Sequence, residues 1–135
     1  MDKLLEKLGF SAAAPGARYP KILAFGGPGT GKTWFGLGAG SPERPAILLD
    51  TEGGSHFYSA ETGLHFVRKD TQNIMDALRV ADALTAETDG APLVIDSGTI
   101  LWKMAQEGYC KQRKIDDPSF GDWRRIKTPF ERLYS

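Results

Sequence analysis

One cysteine, Cys110, stands among 135 residues, so no internal disulfide can staple the chain, and a reducing, cytosolic setting is expected. Neither sign of charge is in excess: 17 Lys and Arg balance 17 Asp and Glu. No global field therefore draws the protein to a polyanion or an anionic membrane, and contact with nucleic acid would need a local patch. No run approaches the ~18–20 apolar residues of a membrane span, and there is no internal repeat or low-complexity tract. Met1–Phe10 mixes Asp2, Lys3, Glu6 and Lys7 with leucines, unlike the unbroken apolar segment of a signal peptide, so export is not expected. Histidine is scarce too. His56 and His65 lie nine positions apart with no cysteine nearby, poor spacing for zinc. No nucleophile and base recur at helical or strand spacing, so hydrolysis through a covalent intermediate is not indicated.

What is present suits one small domain. The 41% apolar content can fill a core, and the length leaves no room for a second folded unit. Glycine is abundant, 16 residues, nearly twice its usual ~7% share. Seven of them fall between Gly26 and Gly40, which implies a task for the backbone.

Leu4, Leu5 and Leu8 share a face of a short amphipathic helix ended by Gly9, and a small-residue stretch then completes a lead-in over residues 1–17. Lys21–Phe25 reads as a strand buried on both faces of a parallel sheet, ending at Gly26. A helix is predicted from near Lys32. Further strands are predicted at Ala46–Leu49, running into Asp50, at Leu64–Val67, and at Pro92–Ile95, running into Asp96. Thr71 is the predicted cap of a helix in which Ile74, Leu78, Ala81 and Thr85 share a face and which Asp89 and Gly90 close. Apolar strands alternating with helices make this an α/β fold with a mainly parallel sheet.

Gly26, Gly27, Pro28, Gly29, Thr30, Gly31, Lys32 and Thr33 match G-x-x-x-x-G-K-[ST] at every fixed position, between a predicted strand and a predicted helix. Glycines let successive N–H groups turn inward toward phosphate oxygens. Lys32 is placed to reach the β- and γ-phosphates, and Thr33 offers a hydroxyl to Mg²⁺, which keeps most of its water and needs few protein ligands. A second metal ligand is expected from Asp96, at the carboxyl end of an apolar strand. Its other reading is a cap for the helix predicted over Ser97–Arg113.

The segment Asp50–Gly54 admits two readings. As D-x-x-G it resembles the γ-phosphate switch of G proteins, but Lys32 precedes Asp50 by only 18 positions, too few for a helix, a switch loop and an intervening strand. Guanine recognition by N-K-x-D is also missing, since the sole asparagine, Asn73, precedes Ile74. The second reading fits the order of motifs. Gly26–Thr33, Asp50–Ser55, Ile95–Ser97 with Leu101 and Trp102, and Gly121–Arg125 together resemble the RecA-like P-loop ATPases of bacteriophages, some of which act in single-strand annealing and recombination. The resemblance spans roughly residues 21–135 and implies a three-layer nucleotide-binding domain over residues 18–135. It implies ATP and Mg²⁺ as ligands, Lys32 and Glu52 as catalytic residues with Glu52 polarising the attacking water, and the host cytoplasm as the setting. RecA-like cores also carry a strand with a polar γ-phosphate sensor between the phosphate-loop strand and the Walker B strand. Only two helices are predicted after Asp96, joined by residues 116–120, with Pro129 kinking the second, so that strand is expected after Ser135 and the core is expected to be incomplete at its C-terminus.

Lys111, Arg113, Lys114, Arg124, Arg125 and Lys127 interleave with Tyr109, Phe120 and Trp123, as a single-stranded DNA groove would require. Alternatively Trp123, Ile126, Phe130 and Leu133 form the core face of a helix, with the basic residues as its wet side. Phe10–Ala13 fits an F-x-x-A pattern with which some recombinases dock a neighbouring subunit, which would make the protein a homo-oligomer; packing on its own domain is the competing account. Two other functions compete with ATP hydrolysis: a non-catalytic nucleotide sensor, and a small-molecule phosphotransferase, which would need an acceptor pocket and an arginine-bearing lid.

Overall fold

A computed structural model describes Lys3, Lys7, Leu8 and residues 20–58, 62–87 and 90–134. Apolar side chains at Ala46–Asp50 (β1) place that strand at the centre of a parallel sheet, between Phe66–Asp70 (β2) and Leu93–Asp96 (β3). The ladders run from Ala46↔Phe66 to Asp50↔Asp70 on one side and from Ile47↔Leu93 to Asp50↔Asp96 on the other. Helices among the described residues include Lys32–Leu37 (α1), Ile74–Glu87 (α2), Gly98–Arg113 (α3) and Phe120–Tyr134 (α4), with a 3₁₀ turn at Gly54–Phe57.

Side chains alternate across a strand, so β1 feeds two cores. Ala46 and Leu48 pack with Leu37 of α1 and with Leu64, flanked by Tyr58, Phe66 and Val94. Leu49 faces the other way, joining Ile74 and Ala77 of α2, Leu101 of α3 and Phe130 of α4. The result is a three-layer α/β arrangement of the P-loop NTPase kind, with α1 on one side of the sheet and α2, α3 and α4 on the other. Trp102 fixes the helical layer, meeting Phe130 edge-on at 5.0 Å and stacking on Trp123 at 6.2 Å.

Several boundaries differ from expectation. Lys21–Phe25 is not a strand: among the described residues nothing pairs with it, and Leu23 and Phe25 are 83% and 89% exposed. Apolar composition alone does not make a strand, because a strand exists only as one side of a hydrogen-bonded ladder. β2 begins at Phe66 rather than Leu64 and continues through Arg68, Lys69 and Asp70, since the backbone ladder to β1, not hydropathy, sets its length. Leu64 is buried in the core just before it. Asn73, not Thr71, caps α2, its Oδ1 accepting from Met75 N–H at 2.9 Å, while the Thr71 hydroxyl donates to Asp76. Pro129 lies inside α4 without ending it. The helix proposed from Leu4 and Leu5, the Phe10–Ala13 pattern and Asp89 lie outside the described residues.

Candidate nucleotide site

The phosphate-loop motif sits where β1 and β3 open toward the start of α1. Gly29 and Gly31 have φ of 74° and 86°, the left-handed region that side chains with a Cβ avoid, and the motif's glycines permit the tight turn into α1 there. Thr30 Oγ1 braces the loop by donating to Gly27 O at 2.8 Å. Lys32 folds back over it, its ammonium donating to Gly26 O at 2.9 Å and Gly27 O at 2.8 Å. The lysine is thus held at the loop's mouth by weak, exchangeable partners that phosphate oxygens would outcompete.

Thr33, the next residue, donates its hydroxyl hydrogen to Asp96 Oδ2 at the end of β3. Even-numbered residues of β3 explain the meeting: Val94 and Asp96 both point to the α1 side, and Gly36 of α1 lies against Val94. Asp96 is not the cap of α3; Ser97 takes that place, its oxygen accepting from Ile100 N–H. Thr33 and Asp96 thus present two oxygen donors side by side, a set that suits Mg²⁺, which takes one or two protein oxygens together with substrate phosphates and water. Among the described residues no cluster of three or more His, Cys, Asp or Glu forms a competing cage.

β1 ends at Asp50, and the chain then turns, so Glu52 lies beyond the strand. Asp50, 3% exposed, gathers the loop instead: its carboxylate accepts from the backbone N–H groups of Glu52 (3.0 Å), Gly53 (2.7 Å) and Ser55 (2.9 Å) and from the Ser55 hydroxyl. Burial opposes its charge, but the Ser55, Gly53 and Glu52 hydrogen bonds outweigh that and hold the carboxyl below its ordinary value. Arg68 of β2 extends the chain, donating to Ser55 Oγ at 3.1 Å and pairing with His56 Nδ1 at 2.8 Å. A cleft of about 330 Å³ beside it is lined by Ser55, His56, Tyr58, Leu64, Phe66 and Arg68, and by no residue of the phosphate loop.

Glu52 reaches the other strand end. Its Oε1 accepts from Ser97 Oγ at 2.8 Å, and Ser97 is the residue that follows Asp96 in sequence. Thr51 makes this possible: its N–H donates to Asp96 O at 2.8 Å, and its hydroxyl accepts from Ser97 N–H at 2.7 Å. Sequence reasoning named Ser97 only as a neighbour of Asp96 and assigned Thr51 and Ser55 no role. A small hydroxyl residue next to each strand-end acid was the available signal.

The six basic residues Lys111, Arg113, Lys114, Arg124, Arg125 and Lys127 are all exposed around the α3–α4 connection. Their interleaved aromatics divide. Half-buried Trp123 stacks on Trp102, and Tyr109 donates to Asp122 at 2.6 Å beneath the Arg113 guanidinium. Phe120 is 97% exposed. Ser119 and Tyr109 together hold the Asp122 carboxyl down to about 2, and a Tyr109 hydrogen bond raises Arg125.

Among the described residues no helix is long and apolar enough to cross a membrane. Comparison with curated proteins and with solved structures gave no match. The family model described as an AAA domain matches residues 18–135, which takes in the phosphate-loop motif, β1 to β3 and α1 to α4. With most of its length so matched, the chain belongs to the AAA domain family of nucleotide-binding P-loop ATPases.

Proposed function

We propose that the protein binds Mg-ATP and hydrolyses it to drive a conformational or assembly cycle on single-stranded DNA, in recombination or annealing. The observation that carries the hydrolytic part is the convergence of three elements at one end of the sheet. Lys32 lies at the loop mouth, Thr33 touches Asp96, and Glu52 is tied to the same strand end through Ser97. When bound, Mg²⁺ would neutralise charge on the phosphates, held by Thr33 and Asp96. Lys32 exchanges its backbone carbonyl partners for phosphate oxygens, and the loop's N–H groups fix the phosphates in place. Glu52 orients the attacking water in line with the γ-phosphate. Little covalent chemistry is asked of the protein; positioning and electrostatics carry the step.

The DNA part rests on the exposed basic residues around Phe120, where cations for phosphates flank a ring free to stack on a base. Single-turnover ATP hydrolysis with and without single-stranded DNA tests both parts. Mg-dependent hydrolysis quickened by DNA is the expected result; nucleotide binding without turnover would identify a sensor instead. Filter binding with no salt-sensitive affinity for single-stranded DNA would remove the DNA part and leave the ATPase reading intact.

A further inference from the structure

Ser97 stands at the junction of β3 and α3 with every polar group committed. Its backbone N–H donates to Thr51 Oγ1 at 2.7 Å, and its carbonyl accepts from the same hydroxyl at 3.2 Å. Thr51 is 4% exposed, so this clamp lies in the protein rather than at its surface. The Ser97 side-chain oxygen accepts from Ile100 N–H as the cap of α3. A serine hydroxyl has one hydrogen to give, and here it goes to Glu52 Oε1 at 2.8 Å.

Glu52 has no comparable anchor of its own. It is exposed, its N–H is held by Asp50, and among the described residues Ser97 is its one side-chain hydrogen-bond partner. A glutamate with three rotatable bonds and no partner would sample many rotamers, and only a fraction would place the carboxylate for use. We propose that Ser97 is a positioning residue for Glu52: its clamped hydroxyl selects the carboxylate's rotamer and leaves the second oxygen free to order water. This rests on the reading of Glu52 as the water-orienting carboxylate.

Ser97 also caps α3, so the test must separate the two duties. Glycine is nearly as good a cap as serine but has no hydroxyl, whereas threonine keeps both. In steady-state ATP hydrolysis, Ser97→Gly is expected to lower kcat roughly tenfold with the KM for ATP within about twofold, and Ser97→Thr to stay within about threefold of the parent. In a Glu52→Ala background, Ser97→Gly should change kcat by less than about twofold, because the group it positions is gone. A loss of equal size in both backgrounds would show a purely structural role and overturn the proposal. Unchanged kcat in Glu52→Ala alone would instead overturn the reading of Glu52, and the proposal with it. A crystal structure of nucleotide-free Ser97→Gly gives a check independent of turnover. Several Glu52 rotamers are expected there, and one rotamer retained as in the parent would contradict the proposal.

Discussion

Thr33 gives its hydroxyl hydrogen to Asp96 across 63 positions of sequence, joining the first residues of α1 to the last of β3. Neither side chain could be brought to the other by local structure. The parallel pairing of β1 with β3 and the packing of Gly36 on Val94 bring them together. If this pair is where Mg²⁺ is held, Asp96→Asn should uncouple nucleotide affinity from the metal. Titration calorimetry should show parent affinity falling about tenfold or more when Mg²⁺ is chelated, and the variant's changing by less than about twofold. Equal metal dependence in both would remove Asp96 from the metal site.

Lys32 and Glu52 should separate binding from turnover. Lys32 is the cation at the loop's mouth, so Lys32→Ala is expected to abolish nucleotide binding. Glu52 is tied to the end of β3 through Ser97 rather than to the phosphate loop, so Glu52→Gln should leave the Kd for ATP within about threefold while lowering kcat about 100-fold. Parallel loss of binding in both variants would refute the division of roles.

Asp50 should appear in the pH dependence of stability. Its folded carboxyl is held below 3.8, so it takes up its proton at lower pH when folded than when unfolded. Its stabilisation is therefore fully present above that value and is lost as pH falls through the lowered one. Asp122, held down to about 2, acts in the same direction, extending the loss from 3.8 toward 2. Thermal melts from pH 7 to pH 2 should show this decline. Asp50→Ala leaves the buried Ser55 N–H and hydroxyl without their acceptor, so it should cost about 2–3 kcal/mol at pH 7 and shrink the acid-dependent part of the loss. An acid profile identical to the parent's would rule this out.

How much of this was legible in the sequence differs from residue to residue. The glycine-rich turn into α1 was readable because the motif fixes its glycines and a Lys-Thr pair within eight positions. β1 and β3 were readable because strands covered on both faces stay apolar, and each ended on its acid as read. Lys21–Phe25 carried the same apolar signal with no ladder behind it, and periodicity cannot report a pairing partner. The turn after Asp50 was hidden because it is made by one carboxylate collecting three N–H groups and a hydroxyl. The Glu52–Ser97 contact spans 45 positions and depends on which strands are neighbours, a property that no local pattern encodes.

Gly36 offers a test of whether the packing of α1 sets the geometry of the site. A Cβ built there would stand 2.9 Å from Val94 Cγ1, closer than carbon atoms tolerate, so Gly36→Ala must push α1 and β3 apart or force Val94 to move. Overpacking of this kind costs about 1–3 kcal/mol. Lys32 and Thr33 begin the same helix, and Asp96 ends the same strand, so the displacement should also open the Thr33–Asp96 contact and weaken Mg-ATP binding. Val94→Ala removes the methyl groups in the way. The double variant Gly36→Ala/Val94→Ala should therefore recover at least about half of the stability and of the Mg-ATP affinity lost in Gly36→Ala, more than additivity allows for two sites in contact. Recovered stability without recovered affinity would mean that the site's geometry is set by the loop alone; recovery of neither would show that the clash at Val94 is not what Gly36 avoids.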